Sequence, residues 1–192
     1  MNGNMTIPEP VFIGYFPKKT MGRNEWFGNA PVVEVGSVSD CMSEAPEDWI
    51  GQWKHNAWGL YDTEDVAWGI VQDDPAAYDM YAYKLFPCVF DGGAGRTMPV
   101  ETTATAQLVD YDFLGYDPVS REEAYTIEFG HSPLSCNRGF EQYPVNRFCL
   151  LDGLEDSWRI AAEIAEAAKE RGAWEPGPYF LCEVYRKRRD EQ

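Results

Sequence analysis

The segment 130–137 reads Gly-His-Ser-Pro-Leu-Ser-Cys-Asn and contains the side chains best suited to chemistry in this chain. His131 is one of only two histidines, and it precedes Cys136 by five residues with two serines between them. A cysteine becomes a useful nucleophile when a neighbouring base or cation favours its thiolate, and His131 could be that base. One hypothesis is therefore a cysteine-dependent enzyme that uses Cys136 with His131.

Cys136 also fits a structural role. Cys41 occupies the corresponding place in the first half of the chain, and no histidine lies five residues before it. A cysteine that recurs in both halves favours a small buried residue behind a turn over a catalytic one. A metal site would require the two histidines, His55 and His131, to meet both cysteines. No closely spaced pair such as CxxC or HxxxH anchors such a site, so the sequence predicts neither a metal nor a cofactor.

Two further patterns favour structural roles. The glycine-rich run 91–96 does not open a helix, whereas a phosphate-binding loop needs backbone amides at a helix start. The acid pairs 64–65, 73–74 and 122–123 are adjacent, whereas calcium loops place acids at alternate positions around a central glycine. We therefore interpret the run as a linker and the acids as helix caps or solvated surface.

A tryptophan-rich segment is the best candidate for binding. Residues 43–55 are predicted to form a short helix, and the second half has no equivalent, so this segment is not needed for a shared fold. Tryptophan is favoured at binding hot spots. The predicted binding residues are Trp49, Trp53 and His55 on this segment, with Ser135 and Asn137 from the cysteine loop. Trp58 and Trp68 have counterparts in the second half and are predicted to be core residues.

The positioning elements follow from an internal repeat. Residues 12–17 read Phe-Ile-Gly-Tyr-Phe-Pro, and residues 113–118 read Phe-Leu-Gly-Tyr-Asp-Pro. Segments 56–62 and 146–152 each begin with Asn and end with Asp, and a tryptophan follows each. The offset between matched positions drifts from 101 to 90 and back to 102, which insertions in loops and helix ends would explain.

These matches predict an α+β fold. Two pseudo-symmetric copies of a β-β-(β)-α-β unit would share a mixed, largely antiparallel sheet or core. The copies span residues 7–90 and 106–189, with a linker at 91–105, and together form one compact domain.

The elements of each copy are predicted from pattern. Each first strand should end at its Gly-Tyr-x-Pro motif, because proline cannot continue a central ladder. Second strands are expected at 31–38 and 124–129, and last strands at 78–90 and 179–186. The clearest element is a helix over 154–171. Its apolar face comprises Leu154, Trp158, Ala161, Ile164, Ala165 and Ala168.

Charge constrains the partner. The chain has 192 residues, 44% hydrophobic and 15% aromatic, which is typical of a folded domain. Residues 1–95 carry 14 acids and 5 bases, and residues 96–192 carry 18 acids and 11 bases, so both halves contribute to the net charge of −16. Such a surface repels phosphate backbones and attracts cations, which disfavours direct nucleic-acid binding.

Compartment and function complete the sequence-based expectations. Five cysteines at irregular spacing favour reduced thiols in the cytoplasm. No stretch has the apolar length of a membrane span, and the first ten residues do not resemble a signal peptide. We expect a small, acidic, soluble binding protein without catalytic activity that recognises a basic protein partner, with a neutralising or immunity-type protein as one example. The cysteine-dependent enzyme remains the alternative.

Overall fold

The computed structural model of the chain describes residues 6–46, 55–121, 131–171 and 174–188. The strands are β1 (Val11–Lys18), β2 (Asp79–Leu85), β3 (Cys88–Val89), β4 (Arg96–Thr97), β5 (Tyr111–Ser120) and β6 (Tyr179–Lys187). The helices are α1 (Glu64–Ile70) and α2 (Leu154–Arg171).

Four strands form the main sheet in the order β1-β2-β6-β5, and β3 pairs with β4 in a small separate ladder. Every strand pair among the described residues is antiparallel. The predicted α+β class with a largely antiparallel sheet is therefore confirmed. Each half of the chain contributes one outer strand and one inner strand, and the two inner strands, β2 and β6, pair at the centre.

Both outer strands continue beyond the point where the sequence predicted their end. β1 runs through Pro17 to Lys18, and β5 runs through Pro118 to Ser120. The prediction assumed central strands, in which a missing N–H interrupts a ladder. Because β1 and β5 lie at the edges of the sheet, each proline needs a partner on one side only, and the strand can pass through it.

The predicted second strand at 31–38 does not form. The N–H groups of Val33 and Gly36 donate instead to the carbonyls of Arg147 and Phe148, at 2.8 and 2.9 Å. Residues 35–38 are all buried, so burial along the segment does not alternate as it would in a strand with one exposed face. Its backbone pairs with a turn of the other half and with Met21 and Arg23 rather than with a regular strand. Its predicted counterpart at 124–129 lies outside the described residues.

Local contacts stabilise the two helices. α2 has the predicted bounds, and its outer face carries the expected ion pair between Arg159 and Glu163, at 2.6 Å. α1 is capped by Thr63, whose hydroxyl accepts from the N–H of Val66 at 3.3 Å. Acidic residues in the first turn of each helix suit the positive end of the helix dipole.

The predicted helix over 43–55 is described only at its ends. Residues 43–46 and His55 are not helical. Residues 47–54, with Trp49 and Trp53, lie outside the described residues. The acid pair 122–123 lies outside them as well.

The core lies on both faces of the sheet, as alternate residues of β6 demonstrate. Phe180, Cys182 and Val184 are buried in the cluster beneath α1. Tyr179 and Leu181 are buried in the cluster beneath α2. Both faces of this central strand are therefore removed from water, and a sheet of only four strands can support a stable domain.

Candidate functional site

An asparagine turn in the first half positions the chain beside β1. The Nδ2 of Asn56 donates to the carbonyl of Ile13 and to Oδ1 of Asp62, both at 2.9 Å. Its Oδ1 accepts from the N–H groups of Trp58 and Leu60, at 2.9 and 3.3 Å. One side chain therefore closes the turn and fastens it to the outer strand.

A second asparagine turn holds the chain beside β5 in the same way. The Nδ2 of Asn146 donates to the carbonyl of Leu114 and to Oδ1 of Asp152, both at 2.8 Å. Its Oδ1 accepts from the N–H groups of Phe148 and Leu150, at 2.9 and 3.2 Å. The four hydrogen bonds have the same relative positions as those of Asn56.

A glycine in each outer strand allows the turn to approach it. Gly14 and Gly115 have φ values of 141° and 144°. A Cβ on Gly14 would lie 2.7 Å from Cβ of Leu60, and one on Gly115 would lie 2.7 Å from the carbonyl oxygen of Leu151. Only glycine fits this conformation and this close approach without strain.

A buried polar junction lies between the two halves, around residues 37–39. Asp117 of β5 is fully buried and accepts from the hydroxyl of Ser132, the N–H of Val38 and the hydroxyl of Ser37, at 2.6, 2.8 and 3.1 Å. Burial raises the pKa of Asp117 to about 6, although these hydrogen bonds act in the opposite direction.

Lys18 of β1, whose charge is opposite to that of Asp117, contacts the same segment. Its side chain is buried, and its Nζ donates to the carbonyls of Ser37, at 3.0 Å, and Val38. The ammonium also lies 5.6 Å from the ring centre of Tyr83. Residues 37–39 are therefore held by one charged side chain from each half. The sequence did not predict this junction; its only signal was a charged residue in each outer strand, Lys18 in β1 and Asp117 in β5.

Beside this junction lies a thiol–imidazole cluster formed by Cys41, His131 and Cys136. Nδ1 of His131 is 3.3 Å from Sγ of Cys41, and the three potential ligand atoms all lie within 4.8 Å of one another. Cys41 is exposed, which contradicts its interpretation as a buried structural thiol. The second histidine, His55, contacts the carbonyl of Asn56 instead, at 3.3 Å.

Backbone contacts fix the geometry of the cluster. His131 and Ser120, at the end of β5, exchange two hydrogen bonds, one of them to the Ser120 hydroxyl at 3.0 Å. The N–H of Cys136 donates to the carbonyl of Ser132 at 2.9 Å, and the N–H of Cys41 donates to a serine hydroxyl at 3.2 Å. The neighbouring Cys41 thiol, followed by burial, raises the pKa of Cys136 far above its usual range.

A separate concavity, the α2 groove, runs beside the second helix and has a volume of about 460 Å³. Its lining consists of Ile7, Gly93, Ala94, Glu155, Trp158, Arg159, Ala162, Glu163 and Glu166. The glycine-rich run predicted as a linker forms its outer wall. Lys169 holds that wall against α2, because its Nζ donates to the carbonyl of Asp91 at 3.3 Å.

Comparison with protein-family models, with curated proteins and with solved structures finds no match for this chain. Within the described residues, neither helix has the length and apolar character that crossing a bilayer requires. The geometry of the two sites therefore carries the functional argument.

The remaining predicted residues have the following places. The carbonyl of Ser135 accepts a hydrogen bond from the indole N–H of Trp26 at 2.9 Å. The Oγ of Ser135 lies 3.9 Å from Sγ of Cys136. Asn137 is half-buried, and its Oδ1 has no hydrogen-bond partner within the described part of the chain. Trp58 is buried and Trp68 packs half-buried against the same cluster, which fits their predicted core role.

Proposed function

We propose that this chain is a small acidic binding protein that recognises a basic protein partner, without catalysis. The proposed contact is the α2 groove, which would receive a lysine- or arginine-bearing segment. The observation that carries the proposal is the groove's composition. Glu155, Glu163 and Glu166 line the groove together with the apolar side chains of Trp158 and Ala162.

Charge complementarity supports this choice of occupant. Among the described residues, Arg159 is the only base lining the groove, and it already pairs with Glu163 at 2.6 Å and Asp156 at 3.1 Å. The acidic chain, with its net charge of −16, would steer a cationic partner towards the groove. Affinity would come from an apolar side chain packed against the floor, since exposed ion pairs contribute little. A neutralising or immunity-type protein would have this character.

Three synthetic peptides of equal length test the proposal by calorimetry. One alternates lysine with leucine, one contains lysine alone, and one alternates glutamate with leucine. The lysine–leucine peptide should bind most tightly, and its affinity should fall between 0.15 M and 1 M salt, where the Debye length shrinks from about 8 Å to about 3 Å. Binding of the glutamate peptide, or no binding of either lysine peptide, would overturn the proposal.

Two charge reversals on α2 locate the contact. Glu166→Lys should abolish binding of the lysine–leucine peptide, because Glu166 lines the groove. Glu170→Lys makes the same change one turn further along, outside the groove lining, and should weaken binding only slightly. Ala162→Leu should also reduce affinity by filling the floor without changing charge. If both charge reversals reduced the affinity for the peptide equally, the peptide would be responding to the net charge of the protein and not binding in the groove.

We also propose that the two halves, 7–90 and 106–189, descend from one duplicated unit and fold as a single domain. The support comes from the matched asparagine turns, the matched glycines and the sheet order, to which each half contributes an outer and an inner strand. A chance resemblance would not be expected to reproduce four hydrogen bonds of one side chain at the same relative positions.

The alternative function, a cysteine-dependent enzyme, has weaker support. The imidazole of His131 contacts Sγ of Cys41 at 3.3 Å, and the raised pKa of Cys136 disfavours the thiolate that catalysis would need. Iodoacetamide labelling with mass spectrometry separates the two cysteines. Alkylation of Cys136 well below about pH 8, and faster than that of Cys41, would favour the enzyme over the binding protein.

We propose a cytoplasmic location on the basis of the thiols. All five cysteines lie in the described part of the chain, and none forms a disulfide. Reduced thiols at irregular spacing suit a reducing compartment. If the protein is isolated in the presence of an alkylating agent, alkylation of all five cysteines would support this location. Recovery of a disulfide-bonded form would contradict it.

A further inference from the structure

We propose that the thiol–imidazole cluster of Cys41, His131 and Cys136 binds a zinc ion, with the fourth coordination position open to solvent. The proposal is independent of the α2 groove. It rests on three soft or borderline ligand atoms that converge from two distant segments of the chain.

The spacing of the ligand atoms suits a tetrahedral ion. Zinc bonds of about 2.3 Å to sulfur and about 2.0 Å to nitrogen place ligand atoms about 3.5 to 3.8 Å apart. The Cys41 Sγ to His131 Nδ1 distance is 3.3 Å, and the other two separations do not exceed 4.8 Å. Side-chain rotations that move the ligand atoms by about 1 Å would allow all three to coordinate one ion.

The surroundings favour a prepared site over a chance contact. His131 is fastened by its backbone to Ser120, and the next residue, Ser132, donates to the buried Asp117 at 2.6 Å. The other segment, which ends at Cys41, is held by Lys18. The ligands therefore belong to two segments of the chain whose relative position is fixed by the polar junction. This lowers the entropy cost of ordering them around an ion.

The ligand set also selects the metal. Thiolate and imidazole suit zinc, whereas magnesium and calcium prefer oxygen ligands. Binding converts two thiols to thiolates and releases two protons, so the zinc charge of +2 is balanced by two negative sulfurs. The exposure of Cys41 leaves one side accessible to water, the usual fourth ligand where a protein supplies three.

The first experiment titrates reduced, metal-depleted full-length protein with cobalt chloride and then displaces the cobalt with zinc chloride. One equivalent of cobalt should produce thiolate-to-metal charge-transfer absorption, and one equivalent of zinc should remove it. Cys41→Ser and His131→Gln should each weaken zinc binding by more than the roughly 10- to 100-fold that loss of an outer-shell partner costs. Cys41 is exposed, so its substitution should leave the fold intact.

His55→Gln is the matched control, because it removes the other histidine without touching the cluster. Its zinc affinity should equal that of the unmodified chain. Calorimetry near pH 7 in buffers of different ionisation enthalpy should detect about two protons released for each zinc bound. The proposal is overturned if no charge-transfer band forms. It is equally overturned if Cys41→Ser and the unmodified chain bind zinc alike, or if His55→Gln loses as much affinity as His131→Gln.

Discussion

The two halves of the chain use the same turn and differ in the strand beside it. Asn56 and Asn146 each make four corresponding hydrogen bonds, and a glycine lies beneath each turn. Two positions further along each outer strand, the first half has Phe16 and the second has the buried Asp117. The contrast separates a scaffold of turn and glycine, found in both halves, from a polar junction to which each half contributes different residues.

The largest expected effect tests whether the scaffold is equivalent in both halves. Gly14→Ala and Gly115→Ala should each lower the free energy of unfolding by about 4 kcal/mol, because the new Cβ meets backbone or Cβ atoms below 3 Å at a strained φ. Urea denaturation followed by circular dichroism measures both.

Gly69→Ala is the control for these substitutions. Gly69 lies in α1, and apart from its chain neighbours and the helix backbone no atom of the described residues lies within 4 Å of the position its Cβ would take. Its replacement should stabilise the protein by up to about 1 kcal/mol. A difference of more than about 2 kcal/mol between the Gly14 and Gly115 variants would break the equivalence of the halves.

The asparagine side chains provide the second test. Asn56→Ala and Asn146→Ala should each cost about 3 kcal/mol, because each leaves a strand carbonyl and two turn N–H groups without their partner. The free energy of unfolding in urea measures the loss.

Asn24→Ala is the control with which the loss of stability in the two turn variants is compared. Asn24 is exposed and accepts one backbone hydrogen bond, from Trp26 at 2.9 Å, so its loss should cost about 1 kcal/mol or less. If either turn variant loses no more stability than Asn24→Ala, the four hydrogen bonds of that asparagine do not support the fold.

The smallest expected effect is a pH dependence of stability that comes from Asp117, which has no acidic counterpart in the first half. The pKa of Asp117 is raised to about 6 in the folded protein, so between about pH 4 and pH 6 the folded state holds a proton that the unfolded state has lost. Stability from this group therefore falls as pH rises, by about 1.4 kcal/mol between pH 5 and pH 7.5, and is level above that.

Urea denaturation at several pH values, for the unmodified chain and Asp117→Asn, isolates this contribution. The stability difference between the two proteins should change by the stated amount over that range, with the unmodified chain relatively more stable at pH 5. A constant difference would show that Asp117 remains ionised throughout, and a change of opposite sign would contradict the raised pKa.

Parts of this structure could be predicted from sequence because their signals are local. α2 has an apolar face at helical spacing, and its observed bounds match the expected ones. The last strand also begins at Tyr179 as predicted and ends one residue later. The α+β class and the antiparallel sheet followed from these elements and their order.

The remainder depends on contacts between distant residues, which local patterns do not specify. Segment 31–38 resembles a strand in sequence, yet its backbone hydrogen bonds go to Met21, to Arg23 and to a turn more than 100 residues away. The approach of Cys41 to His131 spans 90 residues, and nothing in the spacing of either residue indicates it. Burial of Lys18 likewise depends on carbonyl partners 19 and 20 residues further along the chain.

The edges of the sheet have a consequence for self-association. β1 and β5 each carry a proline, and each is bridged on its outer side by a turn, Tyr15 to Tyr61 and Tyr116 to Leu151. An additional strand could not dock along either edge without displacing that turn. The sheet is therefore protected against edge-to-edge polymerisation, a hazard for an open four-stranded sheet.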